Sequence, residues 1–157
     1  MNCLALDCAT QTGWAVISFD TGLILGSGTE KLPGKSQAER FYNFKLMFEY
    51  MSITWDIGFV CVERPHLRGW SASKLALGLY TSAECAHFAR SGMEVKDVHT
   101  GTLKKWATGH GKASKGDMIL EAMKRTDIIA TDDNEADAIL IALYAHEKWG
   151  GGDECTD

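Results

Sequence analysis

The stretch that decides the fold is Asn2-Cys3-Leu4-Ala5-Leu6-Asp7-Cys8-Ala9-Thr10-Gln11-Thr12-Gly13-Trp14-Ala15-Val16-Ile17. Leu4 and Leu6 alternate with small residues, the pattern of a buried strand. Residues 10–13 read as a turn, and residues 14–18 as a second strand returning antiparallel to the first. Asp7 stands where the apolar run stops. A carboxylate at the exit of a central strand is costly to bury unless a cation compensates it. The bland alternative is a solvated Asp that starts the turn.

Outward from this stretch, the chain has 157 residues, one domain's worth, and is 45% hydrophobic, enough for a packed core. No apolar run is long enough to span a bilayer, and Asp7 interrupts the N-terminal one. Neither a membrane anchor nor a secretion signal is expected. Cysteines at 3, 8, 61, 85 and 155 show no paired spacing, which implies reduced thiols in a cytoplasm. Without a C-x-x-C pair, and with scattered histidines, zinc is not expected.

The net charge of −5 argues against a polyanion partner, but its distribution argues for one. Residues 96–125 hold seven Lys/Arg against three acids, whereas residues 127–157 hold nine acids and one base. Solvated helix faces would give these counts, and so would a polyanion site beside a metal site.

A third strand at residues 23–29 would complete a meander. Gly34-Lys35-Ser36 imitates the end of a phosphate-binding P-loop but fails on spacing, because position 29 is Thr rather than Gly. It reads as a loop before a helix over 37–52, where Phe41, Phe44, Phe48 and Met51 form one apolar face. Residues 57–62 are a buried strand that again ends in a carboxylate, Glu63, before Pro65 turns the chain away.

Arg64, His66, Arg68 and Trp70 follow in a loop. Guanidinium groups beside an aromatic ring suit nucleic acid, although Trp70 capping the core is the competing reading. An Ala-rich helix over 72–90 places Leu75, Leu79, Ala83 and Ala86 on one face, suited to close packing within the chain or against a partner. Gly92 follows it. A strand is predicted at 95–99 and a short helix at 100–107. Next comes a Gly/Lys loop with Lys112, and a helix at 115–125 capped by Ser114. Lys104, Lys105, Lys112 and Lys115 are candidate phosphate contacts, though many such loops are only loops.

The last helix is predicted over 133–149. Asp132 is its N-cap, and Glu135 completes a capping-box pattern. Asn134 and Asp137 are three residues apart and so neighbours on its surface. Residues 150–157 read as a flexible acidic tail behind a 1–149 domain.

Asp7, Glu63 and Asp137 thus lie at two strand ends and one helix start. Carboxylates converging in a cleft bind hard cations such as Mg²⁺. Two such ions about 3.5–4 Å apart promote phosphodiester hydrolysis.

The order strand–Asp7, strand–Glu63, Gly/Lys loop, then Asn134-Glu135-Ala136-Asp137 resembles the RuvC family of Holliday junction resolvases (crossover junction endodeoxyribonucleases), in the ribonuclease H-like superfamily, over about residues 3–147. The resemblance implies an α/β fold with a mixed five-stranded sheet, its first three strands antiparallel, flanked by helices. It also implies a cytoplasmic homodimer that nicks opposed strands of a four-way DNA junction. Two Mg²⁺ ions per site, replaceable by Mn²⁺, are implied as cofactors. Asp7, Glu63 and Asp137 fall on the family's metal-binding acids, and Asn134 stands where many members carry a fourth acid. Lys104 and Lys115 fall on basic positions tied to DNA binding. His66 and Trp70 lie in the loop that carries an aromatic inserted at the junction centre. The compact length is similar to bacteriophage members, which act in a host cytoplasm.

Three alternatives stay open. One is an actin-like kinase phosphate loop, disfavoured by chain length and by Cys8. Another is a non-catalytic DNA-binding module of the same fold. The third is a nuclease of this fold acting on forks, flaps or RNA.

Overall fold

A computed structural model describes residues 1–64, 72–89 and 92–151. Strands β1 (Asn2–Asp7), β2 (Gln11–Ser18) and β3 (Ile24–Lys31) form the antiparallel meander. Helix α1 (Gln37–Thr54) crosses to β4 (Ile57–Glu63), which pairs parallel to β1. Helix α2 (Ala72–Ala89) leads to β5 (Glu94–Val98), parallel to β4. The sheet order is β3-β2-β1-β4-β5. Helices α3 (Thr100–Thr108), α4 (Lys115–Thr126) and α5 (Asp133–Ala145) follow, and α5 runs on into a π-helical turn, His146–Gly150.

The turn after β1 is tighter than the sequence suggests. β2 already begins at Gln11, and Gly13 is a strand residue paired with Asp7. The Thr12 hydroxyl donates to the Ala9 carbonyl at 2.7 Å, closing the connection from the far side. Side-chain hydrogen bonding to a backbone carbonyl thus replaces turn residues. The last helix is also shorter than predicted, because its final turn widens to π spacing around His146.

Alternation along β1 divides the core between the two faces of the sheet. Leu4 and Leu6 join Val16, Val60, Phe44 and Phe48 on the side of α1 and α2. Cys3 and Ala5 join Ala15, Phe59 and Cys61 on the side of α3, α4 and α5. Small strand residues on that side match Ala136, Ala138, Ala142 and Ala145 of α5, so helix and sheet approach closely. α5 is buried well beyond one stripe, because it lies between the sheet and α4. On α1 the predicted face holds: Phe44, Phe48 and Met51 are buried, and Phe41 stacks on Tyr80 with centroids 4.4 Å apart.

The start of α5 is fixed by several bonds. Asp132 accepts from the Glu135 N–H at 2.9 Å and from the Thr29 hydroxyl at 2.7 Å. The Glu135 carboxylate does not close a box on Asp132. It accepts instead from the Thr131 N–H and hydroxyl and from Ser27 on β3. By contrast, Ser114 and Asp117 form a full capping box on α4. Cys3, Cys8, Cys61 and Cys85 are free thiols, and burial pushes all four above the ordinary thiol range. Among the described residues no helix is long and apolar enough to cross a membrane.

Candidate active site

β1 and β4 are adjacent and parallel, so both end at the same edge of the sheet. This brings Asp7 and Glu63 together. The start of α5 lies over the same edge because Gly13 on β2 lets it approach. A Cβ on Gly13 would lie only 1.9 Å from the Asn134 carbonyl oxygen. Asp7, Glu63, Asn134 and Asp137 therefore line one cleft of about 230 Å³, together with Asp133, Thr100, Lys74 and Lys115.

The electrostatics are those of crowded acids. Burial pushes the Asp7 carboxyl well above the usual carboxylate range. The charge of Glu63, a hydrogen bond between the two carboxyls and the charge of Asp137 add to the shift, and Lys74 opposes it. Burial also raises Asp137, to about 7, reinforced by Glu63 and opposed by Lys104 and Lys115. Asp137 Oδ1 is buried with no hydrogen-bond partner.

Among the described residues no three His, Cys or acid side chains stand in closed metal-ligand geometry as placed. Of the acids lining the cleft, Asp133 is engaged by Lys115 in an ion pair. The donor set itself fits a hard divalent cation: carboxylate oxygens, a neutral amide oxygen, and one buried oxygen left unpartnered.

The cationic candidates divide. Lys115 lies at the cleft and pairs with Asp133. Lys104 is half-buried and donates to the Ala113 carbonyl at 2.9 Å, bracing the Gly/Lys loop while facing Asp137. Lys105 faces elsewhere, into a hollow of about 670 Å³ beside Trp106, Tyr144 and Lys148. Lys112 is exposed on the loop. Arg64 is held by Asp97, whose carboxyl accepts from both Nε and Nη2. His66, Arg68 and Trp70 lie outside the described residues. Sequence reasoning missed Gly13 and Thr100. Gly13 faces α5 across the fold, and the Thr100 hydroxyl donates to Glu63. Neither has a local pattern to reveal it.

A meander followed by two parallel strands, with acids from two strand ends and a closing helix, defines a ribonuclease H-like nuclease fold. No family model matches the chain. Curated relatives do. RuvC of Rickettsia felis is 30% identical over 143 residues, covering 85% of this chain and 89% of the relative. RuvC of Rickettsia prowazekii is 28% identical over 138 residues, covering 84% and 87%. Both are named crossover junction endodeoxyribonuclease. The chain belongs to the RuvC family. Among solved structures, Thermus thermophilus RuvC superposes with a TM-score of 0.72 at 20% identity, covering 91% of this chain and 92% of that one. The same protein in complex with a Holliday junction substrate gives 0.73, covering 94% and 96%.

Proposed function

We propose that this chain is a structure-selective DNA endonuclease that resolves four-way junctions by paired nicks on opposed strands. The observation that carries the reading is the convergence of Asp7, Glu63 and Asp137 in one cleft, with an oxygen of Asp137 buried and unpartnered.

Asp7, Glu63 and Asp137 would hold two Mg²⁺ ions, with Mn²⁺ as substitute, and Asn134 would offer a neutral oxygen. Bound there, the ions supply a water-derived nucleophile at neutral pH and stabilise the leaving oxygen. The remaining work falls to the chain's own side chains. Lys115 leaves Asp133 to contact the scissile phosphate or its neighbour. Lys104 braces the loop that carries Lys112 towards the backbone. Their charge offsets the repulsion between an acidic cleft and a polyanion. His66, Arg68 and Trp70 enter the branch point, where an aromatic ring can stack on an unpaired base.

Paired nicks need two active sites, and a homodimer supplies them. The α2 helix is the proposed interface. Its inward side carries Leu77, Gly78, Thr81 and Cys85, while Ala83 and Ala86 remain exposed. The proposed site of action is the cytoplasm, that of the host for a phage-encoded chain.

A Mg²⁺-dependent cleavage assay on a four-way junction, a Y-fork and a linear duplex of shared sequence tests this. Preferential, symmetric nicking of the four-way junction is expected. Equal cleavage of all three would contradict junction selectivity, and preferential fork cleavage would favour the fork or flap reading.

A further inference from the structure

We infer that Thr100 is a positioning residue for the active site: its hydroxyl holds the Glu63 carboxylate in the orientation needed to bind metal. The inference rests on the reading of Glu63 as a metal ligand.

Thr100 is brought to Glu63 by backbone pairing. In the parallel register of β4 and β5, Glu63 lies opposite Val98, and the Arg64 N–H donates to the Val98 carbonyl at 2.8 Å. Two residues beyond Val98 the chain enters α3. Thr100 is its first helical residue, at the edge where Glu63 emerges.

Thr100 is also relieved of other duty. A Thr at a helix start ordinarily spends its hydroxyl on an unpaired backbone N–H. Here His99 is the N-cap, and its ring nitrogen accepts from the Gly101 N–H at 3.1 Å. The Thr100 hydroxyl is thereby free to donate to Glu63 Oε1.

Glu63 needs such a hold. Ordering a Glu side chain costs up to about 2 kcal/mol of rotamer entropy. Its neighbours in the cleft are Asp7 and Asp137, whose like charges push it outward whenever they are ionised. A β-branched donor on the rigid start of a helix meets this repulsion with a fixed hydrogen bond. Partners of this kind, which touch the ligand but not the metal, commonly change metal affinity by about 10–100-fold.

The test is Mn²⁺ binding to the DNA-free protein, by calorimetry and by electron paramagnetic resonance. The variants are Thr100→Val, Thr100→Ser and Glu63→Gln. Thr100→Val keeps the shape and removes the donor, so affinity should fall about 10-fold. Thr100→Ser restores the donor and should stay within about twofold of wild type. Glu63→Gln should lose most binding. If it binds like wild type, the reading of Glu63 fails and the inference falls with it. If Glu63→Gln is defective while Thr100→Val is normal, the inference alone is overturned. Equal loss in Val and Ser also overturns it, because the hydroxyl would not be the cause.

Discussion

Gly13 and Asn134 touch through their backbones: a Cβ on the glycine would lie 1.9 Å from the Asn134 carbonyl oxygen. Gly13 is also the β2 partner of Asp7. One residue therefore pairs with the strand that carries the first acid and admits the helix that carries the last. Gly13→Ala must push the start of α5 away from the sheet. Overpacking of this kind costs about 1–3 kcal/mol. Activity should fall much further, by on the order of 10²-fold, because about 1 Å of misplacement at a reacting site has that effect. Thermal melts and single-turnover cleavage on the same preparation separate the two losses.

Removing metal should weaken the fold, and removing one acid should relieve it. In EDTA the carboxyls of Asp7, Glu63 and Asp137 crowd one another without a cation between them, so Asp7→Asn should melt at a higher temperature than wild type. Added Mg²⁺ should reverse the order. A ligand at 100 times its Kd stabilises by about 2.7 kcal/mol, and Asp7→Asn forfeits most of that. Melting curves at a series of Mg²⁺ concentrations check both signs.

Asn134 lowers the negative charge of the cleft by one relative to a four-acid set. Asn134→Asp should reduce the Mg²⁺ needed for half-maximal cleavage. Asn134→Ala should cost much less than Asp137→Ala, because water can replace a neutral oxygen. Asp133 lines the same cleft but is paired with Lys115. Its loss frees that lysine and should tighten DNA binding. A metal titration of the four variants checks the order. Asp133→Ala as inactive as Asp137→Ala would make Asp133 the fourth ligand.

Lysines that contact phosphates should show it in salt dependence. Lys112→Ala and Lys115→Ala should each lower the slope of log K against log salt by about one unit. Lys104→Ala should in addition expose the 109–113 loop to proteolysis, because it removes the bond to the Ala113 carbonyl. An unchanged slope in the double variant Lys112→Ala/Lys115→Ala would leave these side chains to solvent.

The α4 capping box gives a pH signature away from the acids. Bonds from the Ser114 hydroxyl and N–H hold the Asp117 carboxyl below its ordinary 3.8. The stability it contributes is complete above that value and is lost as pH falls through the lower folded value. Asp117→Asn should therefore melt lower than wild type at neutral pH, and the difference should shrink as pH falls below the lowered folded value. Ser114→Ala should cost about 1 kcal/mol.

Much of this was legible in the sequence because it is local. Asp7 and Glu63 each end an apolar run, and Asn134 and Asp137 share a helix face by spacing alone. Those patterns gave the strand ends and the helix start, and the family resemblance gave their meeting. Contacts between distant segments had no such signal. Gly13 looked like a turn glycine, since only the approach of α5 reveals its role. Glu135 looked like half of a capping box, but Ser27 on β3 and Thr131 claim its carboxylate. The pairing of Arg64 with Asp97 on β5 had no sign in the local sequence either. In each case the deciding partner lies on another element.

The most direct test of the account is Mg²⁺-dependent nicking of a four-way junction by wild type, Asp7→Asn, Glu63→Gln and Asp137→Asn, with binding to the same junction measured in EDTA. The account predicts that all three variants bind the junction at least as well as wild type and do not cut it. Full cleavage by Asp7→Asn or Glu63→Gln would contradict it.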